Sequence, residues 1–186
     1  MSLTAKTANP EEIAALRYPE GGTPKPADIL PTLDVHPAFR VSLVASEPLF
    51  NKAMNIDWDP AGRMWVCETP EYPDGRYAPA PSDYVQRWQP EAKINAEGRY
   101  DRPAYDRISI LTDTNGDGMM DKKEVFFDGL ELVTSFVFHR DGVIVAQPPD
   151  VLFIRDTNGD GKGDKVEKLY TNLGTRDTHA VLNNLR

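Results

Sequence analysis

Cysteine is almost missing from this sequence, histidine is scarce, and no long apolar run occurs anywhere in it. The single cysteine, Cys67, has no partner for an internal disulfide, and no CxxC or CxxCH spacing exists to hold zinc or covalent haem. It lies in the apolar run RMWVCET and is expected to be a small buried core residue. No stretch of about 18 apolar residues is present, which excludes a membrane-spanning helix. The first ten residues, MSLTAKTANP, lack the apolar stretch of a secretory leader. Basic residues are in deficit, 21 against 29 acidic ones, for a net charge of −8. Nucleic acid needs a basic face and is excluded on that ground, so cations are the expected charged partners.

What is present fits one globular domain of 186 residues, 40% hydrophobic and 27% charged. Residues 1–37 read as an arm. NPEEIAALRY carries a short helix signal, with Asn9 as N-cap, Pro10 at the first helical position and two glutamates complementing the dipole; the proline-rich PEGGTPKPADILP that follows reads as extended. From Phe39 the period changes to two, and a strand is expected over 39–45. NIDWDPAGRMWVCE and SFVFHRDGVIVAQ each read as a hairpin, the first turning at Asp59-Pro60-Ala61-Gly62 and the second at Asp141-Gly142.

Two near copies of one acidic stretch, DTNGDGMMDKKE from Asp113 and DTNGDGKGDKVE from Asp156, stand 43 residues apart. A repeat of that length with four short strands per unit is the signature of a propeller blade. The predicted fold is therefore all-β: about two blades and flanking strands of a β-propeller. Blade one runs over 52–130 and blade two over 134–173, with the start of a further blade at 179–186. Closed rings need about four to eight blades, so a longer protein is expected, its ring closed by the strand at 39–45. Blade one alone carries an insertion, roughly 69–105, rich in proline, tyrosine and arginine, with Trp88 near its centre. It is expected to be an ordered lid or contact surface.

The acidic loops match the ligand spacing of an EF-hand: Asp113, Asn115, Asp117, the carbonyl position at Met119, Asp121 and Glu124, then Asp156, Asn158, Asp160, Lys162, Asp164 and Glu167. Their flanks, DRISILT and VFFDGL, are β-branched and alternating and do not propagate a helix, so β-hairpins are expected instead. Without a helical turn to carry position twelve back, Glu124 and Glu167 are doubtful ligands, and Asp121 and Asp164 complete the shell better. Two Ca²⁺ sites are expected, because the carboxylates crowded in each loop repel one another without a cation. In an up-and-down blade these loops share one end and the insertion lies at the other, so calcium is structural. Of the three histidines, His36 and His139 read as surface or packing residues. His179 stands beside Arg176 and Asp177 at the insertion's end and is the candidate general base.

The ordered set FRVSLVASEPLF, WDPAGRMWVCETPEYPDG, RISILTDTNGDG, GVIVAQPPDVLFIRDTNGDGKGDK and THAVLNNLR, covering about 38–186, resembles the N-terminal propeller of the membrane-bound dehydrogenase family of Planctomycetes and Verrucomicrobia. That family is similar to soluble quinoprotein glucose and sorbosone dehydrogenases, six-bladed enzymes using pyrroloquinoline quinone and calcium. The resemblance implies an exported, periplasmic or cell-surface protein that oxidises a sugar or related alcohol. It also implies His179 as the base, pyrroloquinoline quinone in the full-length protein, and a cytochrome c module as electron acceptor. The alternative reading is a non-catalytic, calcium-stabilised propeller that binds glycans or protein partners through its insertion.

Overall fold

The computed structural model describes residues 25–72, 75–76, 93–96, 98–174 and 181–186. The arm's helix signal over NPEEIAALRY lies outside them. A short helix does occur further on, α1 (Pro26–Ile29), followed by a 3₁₀ turn (Leu30–Thr32), where the sequence read as extended. Pro26 explains it: at a first helical position its ring sets φ and it lacks only an N–H that would be unpaired anyway. No helix among the described residues is long and apolar enough to cross a membrane.

Among the described residues, eight strands form two four-stranded antiparallel sheets, each in simple chain order. The first comprises β1 (Ala53–Trp58), β2 (Met64–Glu68), β3 (Asp106–Thr112) and β4 (Lys122–Leu130). The second comprises β5 (Ser135–His139), β6 (Gly142–Gln147), β7 (Asp150–Arg155) and β8 (Lys165–Tyr170). Neither sheet closes on itself. The acidic stretches join β3 to β4 and β7 to β8, so both are hairpin loops flanked by strands, as their β-branched flanks require.

Three details depart from the sequence reading. Residues 39–45 have the alternation of a strand but form none, because a strand exists only where its N–H and C=O groups find a ladder. The tail 181–186 is likewise no strand; it folds back so that the Leu182 carbonyl accepts from the Thr134 hydroxyl and Leu185 N donates to Ser135 Oγ at 3.2 Å. The second hairpin turns one residue earlier than Asp141-Gly142. His139 pairs with Gly142, and Arg140, at φ 49°, takes the left-handed position. Gly142 is a strand residue, needed because a Cβ there would meet the Ile154 carbonyl oxygen at 2.0 Å.

The two sheets are one repeat at the level of individual residues. Strand registers pair Leu111 with Met64 and Lys123 in the first sheet, and Ile154 with Val143 and Val166 in the second. Ser109 and Leu111 thus correspond to Leu152 and Ile154, and Trp65 and Cys67 to Ile144 and Ala146. Packing does not set equivalent faces together. The main core joins Trp65, Cys67, Ile108 and Ile110 of the first sheet to Val143, Val145, Leu152 and Ile154 of the second, which are opposite faces of the repeat, since successive side chains alternate across a strand.

The first sheet's other face, Met64, Val66 and Leu111, is covered by Val44, Ala45, Leu49, Phe50 and Met120. Residues 44–50 therefore lie where a preceding sheet would lie. One hydrogen bond fixes the correspondence. Gly163 N in the second acidic loop donates to the Phe126 carbonyl of β4 at 2.8 Å, and the equivalent Met120 N in the first loop donates to the Val44 carbonyl at 2.7 Å. Phe126 and Phe127 are packed into the shared core, whereas their counterparts Leu169 and Tyr170 are 50% and 60% exposed.

Candidate cation loops and a buried charge cluster

At one end of both sheets, the acidic loops are shaped by their own side chains. Asp113 Oδ1 accepts from the N–H of Asn115 (3.2 Å) and Gly116 (2.7 Å), and Oδ2 from Gly118 (2.8 Å). Asn115 Oδ1 accepts from Asp117 N at 2.9 Å, and Asp117 Oδ1 from Met119 N at 2.8 Å. Asp121 closes the loop, accepting from Thr114 N and Oγ1 at 3.0 and 2.8 Å. The second loop repeats this pattern: Asp156 binds the N–H groups of Gly159, Asp160 and Gly161, Asn158 that of Asp160, Asp160 that of Lys162, and Asp164 holds Thr157. The glycines at positions four and six of each loop have φ between 77° and 89°, which side chains rarely adopt.

Hydrogen bonds from the backbone, that of Gly118 first, hold the Asp113 carboxyl below its ordinary range. Asp164 is lowered likewise, the N–H of Thr157 contributing most. Glu124 and Glu167 sit on strands β4 and β8 with partners of their own: Glu124 meets Lys122 Nζ at 3.0 Å, and Glu167 meets Lys165 at 2.8 Å and Arg155 at 3.3 Å. Among the described residues no three His, Cys, Asp or Glu side chains are grouped to hold a metal. The donor set of each loop is all oxygen and mixes carboxylates with an amide and a backbone carbonyl, which is the chemistry a hard cation takes.

The antiparallel topology puts the insertion's root, residues 69–72 and 99–106, at the other end, beside the β4–β5 connection at 131–134 and the β6–β7 turn. Part of the insertion is a built hairpin: Asn95 N donates to Arg99 O at 2.8 Å, Asp101 N to Lys93 O at 2.7 Å, and Tyr100 N to Arg76 O at 2.7 Å. Trp88 lies outside the described residues, as do Arg176, Asp177 and His179. Their flanks arrive at this same end, through Leu173 N to Pro149 O (3.0 Å) and the Thr134 contact to Leu182. His36 and His139 are exposed surface residues, lying edge-on to Phe39 and Phe153.

A cluster that the sequence reading missed is buried at this root. Asp106 is fully buried and accepts from Glu71 N on one oxygen and Val133 N on the other, both at 3.1 Å. Glu71, equally buried, forms a short ion pair with Arg102 Nη1, while its Oε2 and Arg102 Nε are buried without a partner among the described residues. Glu131 receives Arg76 at 2.9 Å, and Arg99 closely. Burial pushes Glu71 up to about 7 against the pull of Arg102. Burial, and then the charge of Glu71, pushes Asp106 well above the carboxylate range. Cys67 is buried as expected, its thiol donating to Val133 O at 3.3 Å and raised by burial. Beside it on β2, on the opposite face, Glu68 is held by Asn51 N (2.7 Å), Lys123 Nζ (2.6 Å) and the Ser109 hydroxyl, which fastens residues 44–52 to the first sheet. A glutamate inside the apolar run MWVCE and an aspartate opening DRISILT were the available signals for these two sites.

Two four-stranded sheets repeated head to tail, each closed by an oxygen-rich hairpin loop, define the class of domain. Over residues 25–186 the chain matches the family described as a domain of unknown function (DUF7133), and it belongs to that family. No curated protein and no solved structure matches it.

Proposed function

We propose that the two sheets are consecutive blades of a calcium-stabilised β-propeller in a quinoprotein-like dehydrogenase that oxidises a sugar or related alcohol. One observation supports the propeller: equivalent sheets pack through opposite faces, and a head-to-tail interface closes into a ring where its rotation allows. Residues 44–50 would then hold the place of the last blade's outer strand. Asp113, Asn115, Asp117, Asp121 and the Met119 carbonyl would hold one Ca²⁺, and Asp156, Asn158, Asp160, Asp164 and the Lys162 carbonyl the other. Each ion would compensate the crowded carboxylates at the end of the sheets away from the chemistry. Glu124 and Glu167 are left out of both shells, since lysine and arginine already occupy them.

At the opposite end, His179 would take the proton of the substrate hydroxyl, oriented by Asp177, with Arg176 positioning the substrate. Pyrroloquinoline quinone, bound to the full-length protein, would supply the oxidising chemistry, and a cytochrome c module would accept the electrons. An exported, periplasmic or cell-surface location goes with that chemistry. The test is dye reduction by the full-length protein reconstituted with the quinone and offered a panel of sugars. Turnover that is lost in His179→Ala is the expected result; turnover that survives this change removes His179 from the base role. No turnover, with retained binding on a glycan array, would replace the enzyme with the binding module, a reading favoured by the paired segments 93–96 and 98–101 of the insertion.

A further inference from the structure

Buried charges are weak stabilisers unless every lone pair and proton is satisfied, and replacing a half-satisfied pair by apolar residues is often neutral or favourable. The Glu71–Arg102 pair is half satisfied: one carboxylate oxygen and the guanidinium Nε are buried without partners among the described residues. Asp106 beside it has no cation as a partner among the described residues; its partners are backbone N–H groups, those of Glu71, Val133 and Leu132. Yet this small group joins three pieces of chain distant in sequence: the start of the insertion (Glu71, Gly75, Arg76), its end (Arg99, Arg102, Asp106) and the β4–β5 connection (Glu131, Val133). Arg102 also reaches the carbonyls of Gly75 and Pro103 and lies over the Tyr105 ring.

We propose that Glu71 and Asp106 share a proton and form with Arg102 a proton-operated latch, which holds the insertion's root to the β4–β5 connection when the proton is present and loosens it when the proton leaves. With both carboxyls ionised, two negative charges lie in one dry cluster against one guanidinium; with one proton retained, the pair and Arg102 balance. The other charges facing the site do not titrate in the same range. Glu131 is opposed by burial, but Arg76 and Arg99 hold its carboxyl below the usual carboxylate value, so it loses its stabilising charge only on acidification. The Cys67 thiol is raised further out of range by burial. The signs therefore separate: Glu71 and Asp106, both raised, stabilise the closed root at low pH, and this contribution is lost as pH rises towards about 7. The latch does not depend on the dehydrogenase reading.

Hydrogen exchange of the 186-residue chain, corrected for intrinsic rates, tests it at the amides of Tyr100 and Val133, with Val145 in the core as reference. The expected result is protection at Tyr100 and Val133 below that of Val145 and falling about tenfold per pH unit between about pH 5 and 7, one proton leaving per opening. Glu71→Gln should flatten that slope, and Asp106→Asn serves in its place if the first variant does not fold. A flat profile in the unmodified chain overturns the latch, and that measurement needs no variant. Tyr100 and Val133 exchanging at the rate of Val145 would overturn it too, as would an unchanged slope in the neutral variants.

Discussion

Gly163 shows how much one hydrogen in place of a methyl group can decide. A Cβ at this position would meet Ile154 Cγ2 at 2.6 Å and Phe127 Cδ2 at 2.9 Å, both packed side chains of the seam between the sheets. Gly163→Ala should therefore cost about 1–3 kcal/mol through overpacking, read as a lower midpoint in urea with an unchanged slope; an unchanged midpoint would mean that the seam is loose. The first loop carries Met120 at the same position, where the neighbour is the lead-in segment, and its side chain helps to cover Met64, Val66 and Leu111. The sequence displays this difference as MM against KG, but its meaning needs the neighbouring strand. Gly142 teaches the same lesson in reverse: it reads as a turn glycine beside Asp141, and its actual constraint is the Ile154 carbonyl.

At the scale of elements, the strands were legible from short apolar runs bracketed by turn residues and from β-branched flanks, and the acidic loops were legible because their side chains build the turn from within. The strand expected at 39–45 has the right pattern, and pattern alone was not enough, since pairing depends on a partner that local sequence does not contain. Calcium belongs to this scale. Titration calorimetry should find two sites, with Asp113→Ala and Asp156→Ala each removing one. Calcium at a hundredfold excess over its dissociation constant should add about 2.7 kcal/mol of stability per site. No heat, and no effect of a chelator on melting, would sink both sites together.

Across the whole molecule the two sheets share one core, so they should unfold as one unit. Phe136, fully buried among Trp65, Phe126 and Phe138 at the seam, gives the prediction: Phe136→Ala should cost about 3–5 kcal/mol, and amide protection in β2–β3 and β6–β7 should fall together. Protection lost in the second sheet alone would show two independent units. The repeat of 43 residues announced two similar sheets, but it could not say which faces meet, because the central strands are apolar on both faces. The charge cluster at the insertion's root was illegible for a related reason. Glu71, Arg102 and Glu131 are far apart along the chain, and nothing local marks them as neighbours.

The hydrogen bond from Gly163 to Phe126 also bears on how this chain can change length. A loop whose eighth N–H must reach a carbonyl on another sheet is measured from two sides, by its own turn and by the gap it bridges. Adding or removing one residue there would shift the grip on the neighbour by a full step, whereas exchanging one oxygen ligand for another would leave the span intact. Among the described residues, no backbone N–H of the connection between the second and third strands reaches a carbonyl of the other sheet, and there one copy holds a two-residue turn and the other a long insertion. Growth in this architecture is confined to one end of the sheets, and the acidic end works as its ruler.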